Sequence, residues 1–172
     1  MAQTYTPLAS TTVSGSSTTS VSLTSIPSTY TDLILVCYKN DNSTDSRTNI
    51  GFNSDTTTLY SSTGLLTYAG SATSSRNSSR SIIDDYTGGA RTSTGIFATT
   101  IYHIMNYANT SIYKTVVGRQ GSNDTGVVDN GTAIVTGLYR STNAITSIQI
   151  TGNGTPTFGA GSTFTLYGIK AA

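Results

Sequence analysis

Apolar and polar residues alternate along this chain in short runs, at a period of two rather than 3.6. Val21 and Leu23 share one face and Ser22 and Thr24 the other, as in a half-buried strand. Asp32 to Lys39 gives the strongest strand signal. Leu33, Leu35 and Cys37 point one way, and Ile34, Val36 and Tyr38 point the other. Both faces are apolar, which predicts a central strand covered on both sides, by a second sheet and a loop or by another subunit. Ile50 and Phe52 mark a shorter strand. Ile96 to Met105, Ile112 to Arg119, Thr132 to Arg140, Ala144 to Thr151 and Ser162 to Ile169 continue the pattern, with Phe164 and Leu166 facing inward.

Turn residues punctuate these runs. Pro27 cannot extend a ladder, so Ser25 to Tyr30 reads as a turn. Asn106 to Ser111, Gly121 to Gly131, Gly152-Asn153-Gly154 and Gly159-Ala160-Gly161 read likewise. Ala2 to Leu8 can form a short strand that Pro7 confines to an edge or a bend. Two stretches carry little apolar patterning. Residues 10–20 hold only Ser and Thr apart from Val13 and Gly15, which predicts a flexible segment or a solvated strand of weak register. Residues 56–81 read as a long polar loop region, with Ser81 to Tyr86 a candidate strand beyond it. The spacing predicts one domain over 1–172. Its fold class is all-β: a two-sheet antiparallel sandwich of jelly-roll type, with eight or nine strands and no substantial helix. Tyr30, Leu33, Ile101, Phe164, Leu166 and Ile169 are the expected core.

Composition narrows the function classes. Of 172 residues, 25 are Ser and 34 are Thr, all eight acids are Asp, and there is no Trp. A Glu-free, Thr-rich chain is poorly suited to helical bundles. A net charge of +1 gives no electrostatic footprint for nucleic acid. A single cysteine, Cys37, excludes an internal disulfide and predicts a small buried hydrophobe. No apolar run approaches a membrane span. Met1-Ala2-Gln3-Thr4-Tyr5 lacks the basic and apolar segments of a Sec-type signal.

No motif assembles a catalytic group. His103 is the only histidine, and no Gly-x-Ser-x-Gly elbow accompanies it. A sandwich hydrolase would need an aspartate and His103 to converge. Asp84-Asp85 point to opposite faces if they lie on a strand, and read as a solvated strand end. Asp41, Asp45 and Asp55 fall in or beside loops, but their spacing does not match an EF-hand. Ser111-Ile-Tyr-Lys114 matches a Ser-x-x-Lys string without its companion motifs. Six Asn-x-Ser/Thr sequons, at Asn42, Asn77, Asn109, Asn123, Asn130 and Asn153, carry little weight in so hydroxyl-rich a chain. The expectation is no catalytic residue, no metal, no cofactor and no enzyme activity. Eleven tyrosines are the one enrichment. Tyr38, Tyr60, Tyr68, Tyr86, Tyr102 and Tyr107 suit sheet packing first, and a sugar-binding or subunit surface second.

Three strings, taken in order, resemble a known family. They are Ser25-Ile26-Pro27-Ser28-Thr29-Tyr30-Thr31-Asp32-Leu33, then Asn106-Tyr107-Ala108-Asn109-Thr110 with Tyr113-Lys114-Thr115, then Ala160-Gly161-Ser162-Thr163-Phe164-Thr165-Leu166-Tyr167-Gly168-Ile169. The chain from Tyr5 to Ile169 is similar to small tailed-phage virion structural proteins, of the capsid decoration (cement) or fibre type. Two departures stand out: Ser54 where a glycine is expected after Phe52-Asn53, and Tyr139 where a tryptophan is expected. The resemblance implies a homotrimer on the outer surface of the shell, with the major capsid protein as partner and no nucleic acid or membrane contact. It implies synthesis in the host cytoplasm and final location in the virion. Residues 10–20 and 71–80 would be arms that order on a partner. The other reading it allows is a tail-fibre or receptor-binding domain that recognises host-surface glycans.

Overall fold

The structure is a computed structural model that describes residues 4–15, 18–40, 48–68, 71–84, 97–122, 131–152 and 158–170. The described residues form twelve strands: β1 (Tyr5–Thr12), β2 (Ser20–Leu23), β3 (Asp32–Lys39), β4 (Thr48–Phe52), β5 (Tyr60–Tyr68), β6 (Ser71–Arg80), β7 (Ile83–Asp84), β8 (Ala98–Met105), β9 (Lys114–Ser122), β10 (Gly131–Tyr139), β11 (Ile148–Gly152) and β12 (Thr163–Ile169). Among the described residues no helix is long and apolar enough to cross a membrane.

The strands build two antiparallel sheets. The larger has eight strands in the order β1-β12-β3-β8-β9-β10-β5-β6, and the smaller has four in the order β2-β11-β4-β7. Eight of these strands are a jelly roll: β1-β12-β3-β8 in one sheet faces β2-β11-β4-β7 in the other, and the chain crosses between sheets as it runs. Two antiparallel pairs are inserted into this frame. β5–β6 lies between β4 and β7 in sequence, and β9–β10 lies between β8 and β11. Both pairs add to the same side of the first sheet and widen it to eight strands.

Burial follows the predicted alternation. Leu33, Leu35 and Cys37 of β3, Tyr102 and Ile104 of β8, and Phe164 and Leu166 of β12 are fully buried. They meet Val21, Leu23, Ile50, Phe52, Ile148 and Ile150 of the smaller sheet in one core. Two of the expected core residues lie elsewhere. Ile101 and Ile169 are only partly buried, on the outer face of the larger sheet. Each stands an odd number of residues from a core position on its own strand, and the period of two turns it outward. Tyr30 packs at the margin of the core. Its ring lies where a Cβ on Gly168 would come within 2.4 Å, so Gly168 is the residue that lets the ring close over β12.

The described residues of the two segments read as polar loops are largely strand. Residues 10–12 belong to β1 and pair with β12. Val13 is buried, and its amide donates to the Ser162 carbonyl at 2.8 Å. Thr18 bridges Phe158. Residues 60–68 and 71–80 form β5 and β6, paired from Tyr60–Arg80 to Tyr68–Ser71. A ladder is held by backbone groups, so Ser-rich β6 needs no apolar side chains to take an edge place. Pro7 also sits on an edge strand, and the β1 register shifts between Pro7 and Ala9, as its missing N–H requires.

Candidate interaction surface

β3 is apolar on both faces, but the smaller sheet covers only one. No other strand among the described residues packs over the opposite, outer face of the larger sheet. The registers align that face into rows. One row runs Thr165, Val36, Ile101, Arg119, Ile134 and Leu65 across β12, β3, β8, β9, β10 and β5. The next runs Tyr167, Ile34, His103, Val117, Thr136 and Thr63 across the same strands. The result is a two-row band in which Ile34, Val36, Leu65, Ile101, Val117 and Ile134 are interrupted by Arg119, His103 and threonines, with a threonine-rich row (Thr163, Thr99, Thr132 and Thr67) along one margin. Ile134 and Leu65 are more than half exposed, at 56% and 54%.

The band is grooved. A depression of about 340 Å³ is lined by Tyr5, Ile34, Ile101, His103, Met105, Val117, Arg119 and Ile169. A second, of about 240 Å³, lies on the far side of Arg119 between Leu65 and Ile134. The guanidinium therefore stands between two apolar hollows. Tyr38 stacks on Phe97 at the end of the face, with ring centroids 4.6 Å apart and planes 9° apart.

Asp32 and His103 do converge. His103 Nε2 lies 2.9 Å from Asp32 Oδ2, and Asp32 Oδ1 accepts the Asn106 amide at 2.7 Å. The cross-strand neighbours of His103 are Ile34 and Val117, and Ile101 and Met105 flank it on its own strand face. No hydroxyl or thiol occupies these four positions. The pair has the orienting half of a catalytic triad and, among the described residues at these positions, no nucleophile beside it. What it does is hold a turn, because Asn106 sits at a φ of 51° with its N–H capped by Asp32.

The three strings that carry the family resemblance meet at this end of the molecule. Tyr107 donates its hydroxyl to the Pro27 carbonyl. Thr31 donates its amide to Ile169 at 2.8 Å, and Tyr30 covers Gly168. At the opposite end of β12, Gly161, at a φ of +87°, makes the bend that leads into the strand. Lys114 is fully buried, and its ammonium donates to the carbonyls of Asn109, Ile112 and Thr142 at 2.6, 2.8 and 3.2 Å. Burial holds its pKa below the usual lysine value. Nothing in the sequence pattern singled out this cage, since a lone lysine at a strand start reads as solvated.

The remaining candidates have structural occupations. Asp55 accepts from Thr57 N and Oγ1 on one oxygen and from Tyr139 Oη, at 2.7 Å, on the other. The Thr57 hydroxyl, then the Thr57 amide, then the Tyr139 hydroxyl hold its carboxyl below the usual range. Tyr139 stacks on Tyr60 at 4.6 Å and packs against Phe52. The Tyr139 hydroxyl thus has a partner that an indole in its place would reach differently. Ser54 and Asn53 both have a φ of 55°, and the Asp55 amide closes the turn onto Phe52 at 2.9 Å, which is why a glycine suits position 54. Asp84 is a correction. It is 5% exposed rather than a solvated strand end, beside Arg80 and Asn77 at 3.4 Å each, because β6 folds against β7. Cys37 is buried and unbonded to another cysteine, as expected. Among the described residues no three His, Cys, Asp or Glu side chains gather as metal ligands. Asp41, Asp45, Asp85, Tyr86 and the sequons at Asn42, Asn123, Asn130 and Asn153 lie outside the described residues.

No family model matches this chain, and no curated protein matches it. Among solved structures, the galectin LEC-6 of Caenorhabditis elegans is similar at 14% identity and a TM-score of 0.31, over 93% of this chain and 90% of that one. A protein of unknown function from Shewanella oneidensis is similar at 12% identity and a TM-score of 0.26, over 98% of this chain and 77% of that one.

Proposed function

We propose that this chain is a structural protein of a tailed-phage virion, a capsid decoration protein. In this reading it binds the outer surface of the major capsid protein shell as a homotrimer and stabilises the shell. The observation that supports it is the outer face of the eight-stranded sheet, where Leu65, Val117 and Ile134 are exposed beside half-covered Ile34, Val36 and Ile101. Such a face is built to be covered by protein. The chemistry of the described residues points the same way, since its one His–Asp pair secures a turn. Stabilisation would come from apolar area removed from water, at about 25 cal/mol per Å².

Cryo-electron microscopy of virions, with heat-release assays on particles carrying and lacking the protein, tests this. The expected result is density on the capsid exterior and earlier DNA release from particles without it. Density confined to the tail overturns it and favours the second reading, a receptor-binding domain for host glycans. The Tyr38–Phe97 stack supports that alternative, because a flat aromatic face near the surface suits a sugar ring. Saturable binding on a glycan array, lost in Tyr38→Ala, would identify it.

A further inference from the structure

We propose that the protein segment this face receives is acidic and apolar: one carboxylate seats on Arg119, and apolar side chains fill the hollows on either side of it. On the decoration reading, on which this rests, that segment belongs to the major capsid protein. The geometry starts from Arg119 itself. It is exposed on β9 and has no hydrogen-bond or ion-pair partner among the described residues. Its cross-strand neighbours are Ile101 and Ile134. The hollow of about 340 Å³ lies on its β8 side and that of about 240 Å³ on its β10 side. Each is several times the roughly 30 Å³ of a water molecule and has room for an apolar side chain. The strands β8 and β10 lie two spacings apart, about 10 Å. The complementary surface is therefore two apolar groups about 10 Å apart with a carboxylate between them.

Charge decides what the occupant carries. Among the described residues Asp32 is the one carboxylate on this face, and both of its oxygens are engaged, Oδ2 by His103 and Oδ1 by the Asn106 amide. Asp55, in the turn after β4, is held by Thr57 and Tyr139, and Asp84, on the smaller sheet, by Asn77 and Arg80. The next row of the face ends at Arg76, opposite Thr63, which is exposed and also has no ion-pair partner among the described residues. The face thus offers two guanidiniums and no open carboxylate to match them. A partner carboxylate enclosed by filled hollows makes a charge-assisted bond with little water around it. Other occupants match only half of the site. A phosphate backbone neutralises Arg119 and leaves both hollows wet. A neutral sugar covers the guanidinium without pairing it. A second copy of this face brings arginine and no open carboxylate.

Virions carrying Arg119→Lys in place of the wild-type chain test this. A zero-length carbodiimide should couple the amine introduced at position 119 to an Asp or Glu of the major capsid protein, identified by mass spectrometry of the linked peptides. Binding to particles that lack the protein gives a second readout. Arg119→Glu should weaken it at least about tenfold. Arg119→Gln should remove much of the salt dependence of wild-type binding, whereas Ile134→Asp should weaken binding as well. Reversing the charge of the linked acid should restore binding to Arg119→Glu. These positions are exposed, and circular dichroism confirms that each variant keeps its fold. A chain that sits on the capsid with no link from position 119, or whose Arg119→Glu variant binds at full strength, overturns the inference and leaves the decoration reading standing. A link to an acid of a tail protein does the reverse, keeping the acidic partner and defeating decoration. A link between two copies overturns the inference, and absence of the chain from virions overturns both.

Discussion

The two faces of the eight-stranded sheet are made from the same strands, yet they have opposite fates. On the inner face Leu33, Leu35, Tyr102, Phe164 and Leu166 are fully buried against the smaller sheet. On the outer face Ile34, Val36, Ile101, Val117 and Ile134 have comparable hydrophobicity and remain half-covered or exposed. The inner face therefore supplies the stability of the fold, and the outer face holds apolar area that no other described strand buries. Side chains of one chemistry do two jobs because strand geometry assigns them to different sides. The polar groups divide in the same way. Lys114 and Tyr139 are buried and find partners within the chain, whereas exposed Arg119 reaches outward and has no partner among the described residues.

The largest effect expected is on the inner face. Phe164→Ala should lose about 4 kcal/mol, measured by urea unfolding, whereas Ile134→Asp on the outer face should stay within about 0.5 kcal/mol for the monomer. Equal losses at the two sites would erase the distinction. Next in size is Lys114→Met. It keeps the volume but leaves three carbonyls without their donor, and should lose about 3 kcal/mol. Proteolysis should then open the 106–113 turn first.

A smaller effect is expected at the Asp55 turn, where Tyr139→Phe removes one hydrogen bond and should lose about 1 kcal/mol. The pH dependence has a definite sign there. The folded carboxyl titrates below its ordinary value of 3.8, so the unfolded chain binds the proton more readily. The contribution is complete above about pH 4 and is lost as pH falls through the lowered folded value. Asp55→Asn should flatten this part of the acid limb in denaturation measured from pH 5 downward. At the other end, burial raises the pKa of Tyr60, Tyr107 and Tyr139 above the ordinary 10.0. The folded state then holds protons that the unfolded chain releases, so stability should fall as pH rises past about 10. The smallest expected effect is a gain. Ser54→Gly relieves a left-handed residue and should raise stability by about 0.5 to 1 kcal/mol, read as a higher melting temperature.

Much of the fold was legible because alternation is local. β3, β8, β10 and β12 announced themselves by period, and their spacing implied the jelly roll. β5 and β6 did not, since an edge strand such as Ser71–Arg80 is held by backbone hydrogen bonds that leave no trace in side-chain pattern. Asp84 misled for a related reason: its burial depends on β6, which sequence reading had treated as loop. The candidate surface was half legible. Two apolar faces on β3 implied two covers, but which face the smaller sheet takes depends on pairing partners more than a hundred residues away, such as Phe164 opposite Cys37.

By itself the sequence determined the class of structure. A chain rich in Thr and Ser, with β-branched residues at every second position and glycine or proline at the breaks, has little choice but to form strands. It also determined which residues share a face, because the pleat fixes that two residues at a time. Tertiary structure decided the rest: that two inserted pairs widen one sheet, that Asp32 meets His103, that Lys114 closes on three carbonyls, and which apolar face of the larger sheet the smaller sheet covers. Each of these depends on register between distant strands, and register is set by the sum of many contacts rather than by any one stretch of the chain.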